Sequence, residues 1–385
     1  MDKIFAYAKK REALGHVYGA NIILSIHFFL IIYINSSALG RYFSAGTVGL
    51  LYGVGSFLGL FLFITAPILI RKHSAYSYLF TVAILECAVV IGIAQTAVPF
   101  FIAFFFILHC ALVPMILYCL DVYLEDATKV ENETGSIRGV YLTITNVILV
   151  LSPLCMGFLM KQFSFESVYF FSGLALLPLI LLIQMYLKDR EPEAPKRTSI
   201  GKSISLALKH PDIKYSILAQ FILQFFYAWV VIYLPLYLIN EVGFDWNTLG
   251  YLFTIMLLPF MLFEIPVGWL ADRKFGEKEF MIFGFLSMAI AAASLTIPFE
   301  KHFITWAILL FFSRFGASFA EITTESYFFK HVKSDDSDLI SLFRMTRPAA
   351  YILAPLIATI ALSIVPFRAT SVSYTHLTLP TNREV

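Results

Sequence analysis

Arg314, Ser318, Glu321 and Glu325 follow one another at steps of four, three and four inside a long apolar run, a spacing that places all four on one face of a helix. A guanidinium and two carboxylates so arranged can hold a charged solute, relay a proton, or pair with one another to fix packing. Inside a bilayer each ionisable side chain costs about 2.5–3.5 kcal/mol on insertion scales, so each needs a partner or a water-filled cavity. The same cost marks Glu86, His109, Asp121 and Glu125 in other apolar runs. Asp121 and Glu125 are four apart and repel unless a cation or a proton intervenes. Glu86 is either turned against a partner or protonated. His27 and Asn35 in the first run, and Gln220, Gln224 and Tyr227 in the seventh, add hydrogen-bonding groups. A plainer reading stands beside each. Glu325, near the end of its run, suits a packing ion pair, and a lone buried histidine is more often a packing residue than a proton carrier.

Other chemistries are missing from the pattern. The His, Cys and carboxylate spacings form no metal motif, and neither a phosphate-cradling glycine loop nor a nucleophile elbow occurs. No metal, no cofactor and no enzymatic activity is expected. Cys87, Cys110, Cys119 and Cys155 all fall inside apolar runs, where they behave as small apolar residues and give no disulfide framework.

The elements that position these groups are transmembrane helices. Apolar residues make up 59% of the chain, aromatic residues 16% and charged residues only 14%, far from a soluble domain of 385 residues. About eleven runs reach the roughly 20 residues that cross a bilayer, near 15–36, 45–70, 75–97, 99–123, 137–160, 166–187, 214–239, 247–271, 279–298, 303–328 and 340–364. The first follows Lys9, Lys10 and Arg11 but lacks a small-residue cleavage site, so it is retained as a span. Assigning loops alternately to two sides puts roughly 22 of the 28 Lys and Arg on the side of the N-terminus, which is therefore expected to be cytoplasmic, in a multi-pass protein of the cell membrane. The net charge of +2 and the absence of a basic patch leave no sign of a nucleic-acid partner.

The chain also repeats itself. Phe43, Thr47, Gly49 and Leu51 open the second run, and Phe244, Thr248, Gly250 and Leu252 open the eighth, at an offset of roughly 201 residues that also carries Arg71 onto Asp272 and nearly carries Pro153 onto Pro355. Two halves are expected: 1–187 as a six-helix bundle, and 214–367 as a second bundle lacking its last helix. The charged, proline-bearing linker 188–213 joins them and includes a short surface helix from Ile200 that His210 and Pro211 stop. Residues 371–385 hold no apolar run, resemble a translated adapter sequence, and are expected to be a non-native tail with no twelfth span.

One loop carries a family resemblance. Gly268, Leu270, Ala271, Asp272, Arg273 and Gly276 end the eighth run and resemble the loop signature of the major facilitator superfamily, Gly-x-Leu-Ala-Asp-Arg-x-Gly-Arg-Lys, with one extra residue before Gly276 and Glu277 in a usually basic place. Gly268 is read as allowing close helix packing and Gly276 as permitting the turn. The resemblance implies an all-α polytopic fold of two pseudo-repeated six-helix bundles, with about eleven of twelve helices present. It also implies a secondary transporter that moves a small solute by alternating access, with protons as a candidate coupling ion. The first, fourth, seventh and tenth helices then line a central cavity. On that footing Arg314, Glu321, Ser318, His109, Gln220, Gln224, Tyr227 and His27 are candidate substrate or coupling residues, while Gly268, Asp272, Arg273, Gly276, Glu264, Arg71, Arg138 and Glu325 belong to the gate. Asp272 is expected near Arg138 at the start of the fifth run, Arg71 opposite Asp335 and Asp336, and Arg273 against Glu325 or Glu321. A membrane-embedded enzyme, a lipid-handling protein and a non-transporting accessory protein are the alternatives. An enzyme would gather its polar residues on one membrane face, whereas these spread over both halves and reach mid-depth.

Overall fold

A computed structural model describes residues 2–128, 134–188, 192, 200–271, 276–294, 301–332 and 337–364. Among them every regular element is helical. The first half comprises α1 (Asp2–Ile31), the short α2 (Asn35–Gly40), α3 (Ala45–His73), α4 (Ala75–Gln95), α5 (Pro99–Thr128), α6 (Thr134–Gln162) and α7 (Phe165–Leu182), which ends in a π-helical turn, Ile183–Leu187. Then come α8 (Ile200–Lys209), α9 (Pro211–Asn240), α10 (Trp246–Leu270), α11 (Glu277–Ser294), α12 (Phe303–His331) and α13 (Ser337–Ile364). Nine segments among the described residues are long and apolar enough to cross a membrane. The runs expected at 279–298 and 340–364 are helical where described, to Ser294 in α11 and to Ile364 in α13, and are not among the nine.

The chain packs as a membrane protein does, with large apolar side chains such as Phe57, Phe100 and Ile290 exposed on the outside. One apolar core fills the first half around Leu24, Leu79, Met115 and Leu176. A second is continuous between the halves and includes Tyr33, Tyr52, Phe106, Tyr233, Phe253 and Trp306. A small third cluster seats α8 through Ala207 beside Phe328, Leu339 and Phe343.

The repeat has a structural counterpart at the end of the bundle where α3 and α10 begin, here called the far end. Ser44 caps α3 by accepting the Thr47 N–H at 3.3 Å, and Asp245 caps α10 by accepting the Thr248 N–H at 3.0 Å. One turn on, each helix presents a glycine to the other half. A Cβ added to Gly49 would lie 2.8 Å from the Tyr233 hydroxyl and 2.9 Å from Pro355 Cβ. A Cβ added to Gly250 would lie 2.7 Å from the Pro153 carbonyl oxygen and 3.1 Å from the Gly157 Cα. Thus α3 meets α13 and α10 meets α6 with no room for a methyl group, the close approach that small residues allow between helices in lipid. Gly268 does not act this way, because its nearest neighbour, Ile322, lies at an ordinary van der Waals distance of 3.4 Å from an added Cβ. Close packing within the second half comes instead from Gly284 of α11 against Gly316 of α12. Gly276 does turn the chain, at φ +82°.

At the opposite, near end, Tyr327 donates to Asp212, Lys278 lies 3.5 Å from the same carboxylate, and Lys330 pairs with Glu277, tying α9, α11 and α12 together. The expected gate contacts of Asp272, Arg273, Asp335 and Asp336, the Arg138 side chain, and the tail 371–385 all lie outside the described residues.

Two outcomes follow. Gly250→Leu should force α10 away from α6 and raise far-end accessibility, measured as faster labelling of a far-end cysteine by a membrane-impermeant maleimide; an unchanged labelling rate would mean the contact yields. The hydrogen bonds from the Thr248 hydroxyl and N–H hold the Asp245 carboxyl below the usual carboxylate range. Its folded pKa being the lower, the cap contributes stability above the unfolded value of about 3.9 and loses it as pH falls through the folded value. The stability gap between wild type and Asp245→Ala, read from thermal melts, should therefore be constant near neutrality and close only in acid.

Candidate functional site

The face predicted on α12 turns toward the junction of the halves. Arg314 is 2% exposed and its guanidinium carbon sits 4.8 Å from the Tyr227 ring centre, 5.3 Å from that of Phe226 and 5.9 Å from that of Phe260. Cation–π attraction of this kind offsets part of the cost of burying the charge. Nε and Nη1 of Arg314 have no hydrogen-bond partner. Two turns along the same face, Glu321 accepts a hydrogen bond from the Tyr227 hydroxyl at 2.7 Å, and Arg314 and Arg347 lie within its electrostatic reach.

Across the junction, Asn146 of α6 donates to Glu264 of α10 at 2.7 Å, and Glu264 in turn faces Glu321 and Glu325. Arg344 of α13 donates to Glu325 at 3.1 Å and lies within electrostatic reach of Asp121 on α5. Arg347 of α13 stands 6.0 Å from the ring centre of Phe28 on α1. Three arginines and three glutamates therefore share the junction; Arg314 is buried, the glutamates are half-buried, and Arg344 and Arg347 are exposed.

The sequence-derived candidates fall in different places. Arg314, Glu321 and Tyr227 come together, with Glu264 and Glu325 beside them. Gln220 and Gln224 are buried on α9 at 5% and 8% exposure, and Gln220 Oε1 has no partner. Ser318 spends its hydroxyl on its own helix, donating to the Phe315 carbonyl at 2.9 Å. His27 and His109 are not part of this junction; both contact Glu86 inside the first half. Arg71 lies at the near end of α3.

Arg344, Arg347 and Asn146 were missed by sequence reasoning. The two arginines lie three apart in an otherwise apolar run, so the rule that singled out Arg314 also reaches them. Asn146 carries no such signal, because one amide in a span is common and its value depends on the helix opposite.

A family model described as Major Facilitator Superfamily matches residues 17–250 and 216–378. No curated protein matches the chain. Among solved structures, the nucleoside transporter NupG is similar at 10% identity and a TM-score of 0.72, covering 93% of this chain and 93% of that one. A bacterial homologue of the human lysosomal transporter Spinster, in an inward-facing and unoccupied conformation, is similar at 13% identity and a TM-score of 0.72, covering 92% of this chain and 83% of that one.

The bond between Asn146 and Glu264 generates a double-mutant test. Asn146→Ala alone should destabilise the protein by about 1 kcal/mol, because it leaves a half-buried carboxyl group short of a donor, whereas Asn146→Val with Glu264→Leu should recover most of the loss. Thermal unfolding in detergent measures both, and strictly additive effects would mean the two side chains do not interact.

Proposed function

The chain belongs to the major facilitator superfamily, and we propose that it is a secondary transporter that carries a small solute by alternating access, with a proton as coupling ion. It is a multi-pass membrane protein of a transporter family. The excess of basic residues on one side supports a cytoplasmic N-terminus in the plasma membrane, with the near end facing the cytoplasm.

The observation that carries this reading is Arg314: a buried guanidinium with two unpartnered donors, walled by aromatic rings, at the junction of two halves that pack closely at the far end. A carboxylate or phosphate of a solute could accept from Nε on one edge of the guanidinium or from Nη1 on another, since the planar group donates to oxyanions along more than one edge. Phe226, Tyr227 and Phe260 favour a planar or apolar body next to that acceptor. Nucleosides, the solutes of one structural neighbour, have such a shape and belong in the first panel to be tested. Glu321 is the proposed proton carrier. Tyr227 holds it in place, and Arg314 lies close enough for its charge to sense whether the carboxyl is protonated. Binding of solute at Arg314 would then shift the balance of inward-open and outward-open states through this contact.

In proteoliposomes, Arg314→Lys should retain the charge but lose the fork and reduce uptake at least tenfold, while the protein still inserts and elutes as a single species. Glu321→Gln should abolish accumulation driven by a pH gradient yet preserve solute exchange at equilibrium. Wild-type uptake in Arg314→Lys and Arg314→Ala would return the arginine to a packing role. Gradient-driven accumulation by Glu321→Gln would remove the proton assignment.

A further inference from the structure

Away from the junction, one polar cluster lies wholly inside the first half. Glu86 of α4 is fully buried, and its Oε1 stands 3.2 Å from Nε2 of His27 on α1 and 2.5 Å from Nδ1 of His109 on α5. The two histidine side chains are 0% and 3% exposed. The three ligating atoms lie within 4.8 Å of one another. Glu86 Oε2 has no partner.

The hydrogen bonds around the cluster fix one ring. The Ser172 hydroxyl of α7 donates to the His27 carbonyl at 3.0 Å, so its oxygen, 2.8 Å from His27 Nδ1, accepts from that nitrogen, as does the Ser172 carbonyl at 3.1 Å. His27 therefore carries its proton on Nδ1, and a neutral ring turns the lone pair of Nε2 toward Glu86. A metal-binding histidine is oriented in this way, with its second nitrogen donating to a backbone carbonyl. A single shared proton can bridge only one of the two nitrogens to Glu86, and it leaves Oε2 without a partner.

From this geometry we infer that His27, Glu86 and His109 form a binding site for one transition-metal dication of the Zn²⁺ type, a structural ion that clamps α1, α4 and α5 into one body. Two imidazoles and a carboxylate suit zinc and not the oxygen-preferring Mg²⁺ or Ca²⁺. The second carboxylate oxygen can chelate the ion beside the first, so that the two imidazoles and the carboxylate hold it in a distorted four-coordinate arrangement. Zinc bonds of 2.0–2.1 Å at near-tetrahedral angles place the two imidazole nitrogens and the nearer carboxylate oxygen about 3.3 Å apart, within side-chain adjustment of the separations here. The ion is not cargo, because the site has no exposure toward the junction.

Among the described residues the second half has no such cluster. At the repeat offset, Ala228, Ser287 and Leu310 stand where His27, Glu86 and His109 stand in the first half. The helix pair corresponding to α4 and α5 is α11 and α12, and these close on Gly284 and Gly316, backbone against backbone. The two halves thus rigidify the same helix pair by different means.

The test uses the full chain purified through a tag without histidines, stripped with a chelator, and returned to Zn²⁺ alone. Elemental analysis after gel filtration should find about one zinc per chain, and zinc should raise the unfolding temperature. Ser172→Ala, which leaves the ligands in place, should weaken zinc binding by roughly 10–100-fold. His109→Gln should lose both the bound metal and the temperature shift. Co²⁺ in place of zinc should give the visible absorption of a four-coordinate site. Background metal in the wild type with an unfolding temperature indifferent to zinc would overturn the inference and leave a proton-sharing ion pair. An equal temperature shift in His109→Gln would also overturn it, by placing the zinc on surface histidines.

Discussion

Two close glycine contacts hold the halves together at the far end. There is little hydrophobic drive to join helices already surrounded by lipid, so association depends on how closely they approach. Gly49 against Pro355 and Gly250 against Pro153 and Gly157 supply that approach twice, once on each side of the junction. A contact that excludes even a methyl group is either made in full or lost over a short displacement. That property suits two rigid bundles that rock between discrete arrangements, since packed interfaces are bistable more readily than they are deformable.

The charges at the junction are subject to a related constraint, since each needs a partner where water is scarce. Arg314 is tolerated because three aromatic faces surround it, and the glutamates because tyrosine, asparagine and arginine donors reach them. Most of these partners belong to the second half itself, and of the cited hydrogen bonds only that from Asn146 crosses from the first half, so relative motion of the halves bears on Glu264. Glu264 makes the clearest case: its donor lies on the opposite half, whereas Glu325 is served by its own half. A shift of the halves leaves Glu325 and Arg344 paired and separates Glu264 from Asn146.

The fold class was legible because apolar runs of membrane length and a 201-residue offset are one-dimensional signals. The Ser44 and Asp245 caps lie just ahead of the matched Thr and Gly residues, so local chemistry and the long-range repeat agree. The α12 face was legible for the same reason, since helical periodicity places Arg314, Glu321 and Glu325 together without knowledge of any other helix. What could not be read is which helix stands opposite. Glu86 and His109 are 23 residues apart and His27 is 59 from Glu86, separations that match no local motif, so sequence spacing gave no metal signal where three ligating groups converge. Gly268 was misjudged because a glycine at a helix end looks the same whether it faces a backbone or a side chain.

The central claim is that the halves move as rigid bodies about the glycine contacts, opening one end as the other closes. Distances between paired spin labels test it most directly, in a background without the exposed Cys155, with labels at Lys161 and Lys301 for the far end and at His73 and Glu279 for the near end. On adding solute or changing pH, the account predicts that the two distance distributions shift in opposite directions between two discrete populations. Both ends widening together, or a single distribution that drifts continuously at either end, would contradict it.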